Sequence, residues 1–211
     1  MALSRLQAIN MCLAGVGVGP VASEEDSGLD ALTAGVVVDQ VTRDVQSKAY
    51  WFNTERNWNL APNATTGIIA VPSNVDEVLA YAASARTELT IRGSQVYDTF
   101  SHTYNLLPIV NSDDKICFVF QMSLDFTDLP ALAKNYIAYR AKRLYAQDTE
   151  GDAKTTEMQS RDEIRSQSEL EVMDMKQQNV NAFDSDWARE FIWTVGGQNS
   201  FPNMPNTERQ P

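Results

Sequence analysis

Histidine occurs once in this chain, at His102, and cysteine twice, at Cys12 and Cys117. These shortages exclude several classes of chemistry. Two cysteines supply neither a disulfide framework nor the ligand spacing of a structural zinc site. Cys12 falls in an apolar helical run and Cys117 in an apolar strand run, so both are expected as buried free thiols. His102 lies in Thr99-Phe100-Ser101-His102-Thr103, without a patterned base, nucleophile or metal partner nearby, and reads as a surface loop residue. No apolar run reaches the ~18 residues that a membrane helix needs. The opening Met1-Ala2-Leu3-Ser4-Arg5 lacks a signal-peptide layout. The expectation is a protein made and folded in a cytoplasm, with no membrane partner.

Basic residues are also in short supply. Lys plus Arg number 17 against 28 Asp plus Glu, a formal net charge of -11. Gripping phosphate needs basic patches, so nucleic-acid binding as a main task is excluded. A negative wall past which DNA slides without sticking remains compatible with that charge. Gly15-Val16-Gly17-Val18-Gly19-Pro20 is glycine-rich, but no Gly-Lys-Ser/Thr follows and no strand precedes it. It reads as a helix stop and a turn. Nucleophile elbows, cysteine pairs at metal spacing and basic runs are missing, so no catalytic residue, cofactor or metal site is expected.

What is present is enough apolar residue, 43% of the chain, for a substantial core. Leu3, Leu6, Ile9, Leu13 and Val16 predict a short amphipathic helix. Ser23 to Ser27 is an acidic connector. A second helix is predicted from Leu29 to about Tyr50, with Leu29, Leu32, Val37, Val41, Val45 and Ala49 on one stripe. The pattern then changes. Trp51 to Glu55 and Asn57 to Leu60 read as two short strands, or a strand and its turn. Gly67 to Pro72 reads as a strand ending at proline. Val78 to Ala82 reads as another, although its alanines also suit a helix. Glu88 to Arg92 and Gln95 to Asp98 flank Gly93-Ser94 as a hairpin. Lys115 to Phe120, after the Asp113-Asp114 turn, is the most apolar strand.

A third helix follows Asp125-Phe126-Thr127-Asp128-Leu129-Pro130. Leu129, Leu132, Ala133, Tyr136, Ile137, Ala141, Leu144 and Tyr145 fall on its apolar face. Thr127 or Asp128 is expected to cap it, with Pro130 in its first turn. Lys134, Arg140, Lys142 and Arg143 take the rest of its surface, three of them late in the helix, where cations suit the dipole. A long polar helix is then expected from about Ala153 to Val180. It would span ~40 Å, too long and too polar to be buried in a chain of this size. Pairs such as Glu157–Arg161 and Asp162–Arg165 can tie it, or another subunit can cover it. Its Met158, Ile164 and Met173 suit an adaptable intersubunit surface. Strands grouped between helices predict an α+β fold with a segregated antiparallel sheet.

From Asn181 to Pro211 the chain carries Phe183, Trp187, Phe191, Ile192, Trp193 and Phe201 among Asn, Gly and Pro. Large aromatics anchor interfaces. Trp187 to Val195 therefore reads as a docking segment and Gly196 to Pro211 as an extended arm, against the alternative of a tail folded onto its own domain. Carboxylate pairs (Asp113-Asp114, Asp148/Glu150/Asp152 and Glu169/Glu171) follow from the acidic composition. They sit in turns or on solvated helix faces.

Several segments, in this order, carry a family resemblance: Leu6-Gln7-Ala8-Ile9-Asn10 with Gly17 to Val21; Val45-Gln46-Ser47-Lys48-Ala49-Tyr50-Trp51-Phe52-Asn53; Val71-Pro72; Arg92-Gly93-Ser94-Gln95-Val96-Tyr97-Asp98; and Asp125 to Pro130 leading into Tyr136-Ile137-Ala138. Over residues 3 to about 180 the chain resembles tail tubular protein A, the head-to-tail adaptor of short-tailed podophages. None of these segments is a catalytic signature. The tail after Ala182 matches no pattern of that family.

The resemblance implies a four-helix bundle from residues 1–50 and 126–182 and a small β-domain from 51–125, while the aromatics of the tail predict a docking arm from 183–211. It implies a ring, dodecameric, in the virion between the portal protein and the tail nozzle (tubular B) protein, with double-stranded DNA passing through without sequence-specific contact. Trp187, Phe191, Trp193, Phe201, Met158, Ile164 and Met173 are the candidate interface residues. The competing expectation is a tail-borne polysaccharide hydrolase, which needs two carboxylates opposed across one cleft. A weaker one is an acidic DNA mimic, which would not need the aromatic arm.

Overall fold

The alternation of amphipathic helices and β-branched runs resolves into a mixed α+β structure. The structure, a computed structural model, describes residues 3–24, 28–149 and 153–177. Among them the order is α1 (Arg5–Gly15), α2 (Leu29–Gln46), β1 (Thr54–Leu60), β2 (Val75–Ala82), β3 (Leu89–Arg92), β4 (Gln95–Asp98), β5 (Ile116–Met122), α3 (Ala131–Thr149) and α4 (Ala153–Gln177). The chain divides into two units, residues 1–172 and 173–211. Of the second, residues 173–177 are described.

Two apolar cores lie within the first unit. In one, Ala8, Ile9, Cys12 and Leu13 of α1 meet Val38, Val41 and Val45 of α2, Tyr136, Ile137 and Ala141 of α3, and Leu170 of α4. Each such large side chain taken from water contributes ~1.5–3 kcal/mol. Alanine, glycine and valine on the facing sides let α1, α2 and α3 approach one another. α1 begins in a capping box that Ser4-Arg5-Leu6-Gln7 spells out. The Ser4 hydroxyl accepts from the Gln7 N–H at 3.2 Å, and the Gln7 amide accepts from the Ser4 N–H at 2.9 Å. Arg5 then donates to both oxygens of Asp39 at 3.0 and 2.9 Å and pairs with Glu24, tying α1 to α2.

The second core fills the β region with Phe118 and Phe120 of β5, Val96, Leu106, Ile69 and their neighbours. β5 runs between β1 and β2 and is antiparallel to both. β3 and β4 form a separate hairpin in the register Arg92↔Gln95 to Leu89↔Asp98. Its two-residue turn places Gly93 at φ +65°, a region that glycine enters without strain.

Gln46, at the end of α2, joins the two regions. Its amide bonds both the N–H (2.8 Å) and the carbonyl (2.9 Å) of Leu124. Its own carbonyl accepts from Asn53 at 2.8 Å and from Gln121 at 3.1 Å. The last residue of α2 is thereby fixed to β5 and to the connection that leads to α3.

Several expectations are corrected. α2 stops at Gln46 instead of Tyr50, and Ala49 takes φ +53° in the turn that follows. Leu29 and Leu32, expected on the core stripe, are exposed. The true stripe is Ala31, Ala34, Gly35, Val38, Val41 and Val45, whose small residues allow close helix packing. Of the two readings of Trp51 to Leu60, two short strands or a strand and its turn, the structure has one strand, β1, preceded by a 3-10 turn (Trp51–Asn53). A register irregularity between Glu55 and Trp58, with Asn57 at φ +61°, separates the two halves of β1. The strand expected from Gly67 to Pro72 is instead an irregular segment that begins at Gly67 with φ +71° and pairs through a single bridge, Ala70 with Gln95. Phe126–Asp128 is a 3-10 turn, so neither Thr127 nor Asp128 caps α3, and Pro130 precedes the helix. Lys134, expected at the surface, is buried, and its ammonium donates to the Thr127 carbonyl at 2.7 Å. Cys12 is buried as expected, but Cys117 is half-buried. The end of the long helix, residues 178–180, lies outside the described residues.

Candidate partner interface

The helix α4 has two faces. Gln159, Glu163, Ser166 and Leu170 recur at steps of four, three and four, and all are buried. Leu170 reaches the helical core. The Gln159 amide donates to the Gly15 carbonyl at 3.5 Å. Arg143 of α3 grips Glu163, and Arg140 approaches it at 3.6 Å. Hydrogen bonding to Glu163 holds the Arg143 guanidinium above its ordinary pKa, outweighing the opposite effect of burial. Arg140 and Arg143 thus serve as anchors for α4 more than as complements to the dipole of α3, which continues to Thr149. The expectation that so polar a helix stays unburied is corrected: one face packs, with Glu163 paired to arginines of α3 and Leu170 in the core.

The rest of the helix surface is open and mostly polar, with large apolar side chains standing among its charges. Met158 is 71% exposed and Ile164 59% exposed, and Val172 is exposed with them. At ~100° per residue they sit ~110–150° round the helix from the buried row. Around them Arg161 pairs with Glu157 at 3.0 Å. Arg165 pairs with Glu169 at 3.2 Å in place of the expected Asp162. Met173 is half-buried. Trp187, Phe191, Trp193 and Phe201 lie outside the described residues. A second open row is Leu29, Leu32 and Val36 of α2, all exposed, although the first two were expected in the core. Their steps of three and four were the available signal, and they belong to a face opposite the small-residue stripe.

A groove of about 220 Å³ runs between α3 and α4, lined by Asn135, Tyr139, Asp162, Arg165, Ser166 and Glu169. Its two carboxylates come from one helix, and Glu169 is tied to Arg165. The opposite wall, Asn135 and Tyr139, carries no carboxylate. Glycoside hydrolysis needs carboxylates facing each other across the cleft, and this groove lacks them. Asp113 and Asp114 are exposed in their turn. His102 is exposed, with φ +55°. Among the described residues no group of three His, Cys, Asp or Glu could hold a metal ion. No helix among them is long and apolar enough to cross a membrane.

Among the described residues, Cys12 and Asp98 carry strongly shifted pKa values, and both are structural. Burial pushes the Cys12 thiol up to about 12, which makes it inert. Burial also pushes the Asp98 carboxyl up, but the nearby Thr87 and Ser101 hydroxyls and the bonds from the Glu88 and Phe100 N–H groups outweigh it, and its pKa sits at about 2. Asp98 ties the base of the β3–β4 hairpin to the loop that follows.

The chain matches the family model described as "Tube: Tail tubular protein" over residues 6–180. A comparison with curated proteins found no match.

Proposed function

Because this chain belongs to the tail tubular protein family, a family of structural phage tail components and not of enzymes, we propose that its copies close into an adaptor ring that joins the portal to the tail nozzle and lets DNA pass through its bore. The protein is a component of the virion tail and associates with other tail components. The ring reading is carried by the two faces of α4. One face is satisfied within the subunit, and the other leaves Met158 and Ile164 open. Apolar side chains held at a rigid helical surface fit a subunit contact. A closed ring needs two different, complementary surfaces on each copy. The open rows on α2 and α4 supply two candidates.

In this reading residues 1–50 and 126–182 form the bundle, residues 51–125 the β-domain, and residues 183–211 an arm that docks on a neighbouring ring through Trp187, Phe191, Trp193 and Phe201. Twelve copies are the proposed number. A net charge of -11 keeps DNA moving through the bore instead of adhering to it.

The test is the native mass of the purified protein, alone and mixed with its portal, by light scattering after size exclusion. A closed multimer in either sample is expected. A stable monomer in both removes the ring. Deleting residues 183–211 is expected to weaken docking to a partner ring while leaving circular dichroism of the core intact. Unchanged partner binding would remove the docking role of the arm.

A further inference from the structure

The outer face of the β3–β4 hairpin departs from the acidic character of the chain. Leu89, Ile91 and Val96 turn inward to the β core. Successive strand residues alternate faces, so Thr90, Arg92, Gln95 and Tyr97 share the outer one. The Arg92 guanidinium lies 3.8 Å from the centroid of the Tyr97 ring. Tyr104 packs edge-on against Tyr97 at 4.7 Å. At the base of the hairpin the Arg86 guanidinium lies 5.3 Å from the Phe100 ring. Phe100 is 51% exposed, and Tyr104 is exposed beside it.

Tyr97 itself is buried against these neighbours, whereas Arg86, Arg92, Phe100 and Tyr104 are exposed. Phe100 is held there by the backbone: its N–H donates to Asp98 at 2.9 Å, in the loop that Asp98 braces. A guanidinium held near a ring keeps N–H groups with which it can bond a carboxylate. Arginine and aromatic residues held rigid and half-exposed are the composition of interface hot spots.

The charge of the chain identifies the occupant. Carboxylates exceed basic residues by 28 to 17, so the surface of another copy is rich in acceptors for two outward arginines. We propose that this hairpin face is one half of the contact between neighbouring copies, with Arg86 and Arg92 held by carboxylates of the next subunit and Phe100 and Tyr104 as its apolar anchors. The proposal deepens the ring reading and rests on it. A head-to-tail ring pairs one such face with a different, acidic face of the neighbour. DNA is the less favoured occupant. Two arginines with the exposed Glu88 between them make a poor phosphate track, whereas the aromatic share suits protein.

The experiment uses the full chain with Phe100→p-benzoylphenylalanine. It is irradiated alone, with the portal, and in assembled tails, and the joined peptides are read by mass spectrometry. A crosslink to a carboxylate-bearing peptide of a second copy is expected. It should fall at least about tenfold, the scale of a hot-spot loss, in the Arg86→Glu/Arg92→Glu variant, with circular dichroism unchanged. It should also weaken as salt rises. If light scattering shows a ring while the crosslink goes to DNA, to another tail component or nowhere, the proposal is overturned and the ring stands. If the protein stays monomeric alone and with the portal, the ring and the proposal fall together.

Discussion

Two substitutions on α4, six residues apart, separate its packing face from its open face. Leu170 is fully buried in the helical core. Leu170→Ala removes its burial and leaves a cavity, which together cost ~3 kcal/mol. For a chain of this size that lowers Tm by ~6–12 °C. Ile164 is 59% exposed, so about two-fifths of its side chain is covered. Ile164→Glu forfeits that share of ~2–3 kcal/mol, or ~1 kcal/mol. Glutamate's better helix preference returns a few tenths, leaving a monomer cost of about 0.5–1 kcal/mol. In a subunit contact the same change buries an unpaired charge, a penalty of more than ~2 kcal/mol, which weakens association at least about thirtyfold. Urea titration followed by circular dichroism measures the first quantity, and light scattering across a dilution series measures the second. Leu170→Ala should lower the urea midpoint, whereas Ile164→Glu should hold it and lose the multimer. Equal destabilisation by the two would refute the two-faced assignment of α4. A full-size multimer from Ile164→Glu would refute the role given to its open face.

Asp98 is bonded as a carboxylate, and its folded pKa of about 2 lies below the usual ~3.9. Its contribution is therefore complete above about pH 4 and is lost as pH falls through 2; the acid-limb slope of urea midpoint against pH should shrink in Asp98→Ala. That variant also leaves the Glu88 and Phe100 N–H groups unpaired, a loss of ~2–3 kcal/mol at pH 7, and an unchanged midpoint there would contradict the bonding described. Gln46→Leu keeps volume but strands the Leu124 N–H and carbonyl. A drop of ~2–4 kcal/mol in unfolding free energy is expected, and a neutral result would show that water replaces both bonds. Cys12 should resist iodoacetamide in the native protein and react on unfolding, while half-buried Cys117 labels first. Equal labelling rates would contradict the packing of α1.

Much of this architecture was legible from local pattern. Turn chemistry at Gly93-Ser94 places the hairpin, because the backbone needs a residue free to take positive φ there. The apolar period of α3 and the short apolar run Lys115 to Phe120 place a helix and a strand, because a 3.6 period puts such residues on one helix face and a β-branched and aromatic run between turns suits a buried strand. Net charge and the shortage of cysteine and histidine bear on chemistry directly. Val41 and Val45 were legible as core residues of α2, but the buried face of its first turns was not. Leu29 and Leu32 are larger and more apolar than Ala31 and Ala34, yet close packing against α1 and α3 favours the small residues. Lys134 is buried for a similar reason: its ammonium reaches a carbonyl seven residues back, which periodicity does not show.

The open face of α4 was legible only in part. The sequence named Met158, Ile164 and Met173 as surface apolars and found the Glu157–Arg161 pair. It could not show that Glu163 meets arginines 20 and 23 residues away, so the buried face of that helix passed as solvated. By itself the sequence determined the element types, their order, the acidic balance and the family. The tertiary structure decided which side of each helix faces inward, how Gln46 couples the two cores, and where arginines and aromatics converge on the hairpin. Element type follows from neighbours along the chain. Burial and pairing depend on residues far apart in sequence, and those are set only when the chain folds.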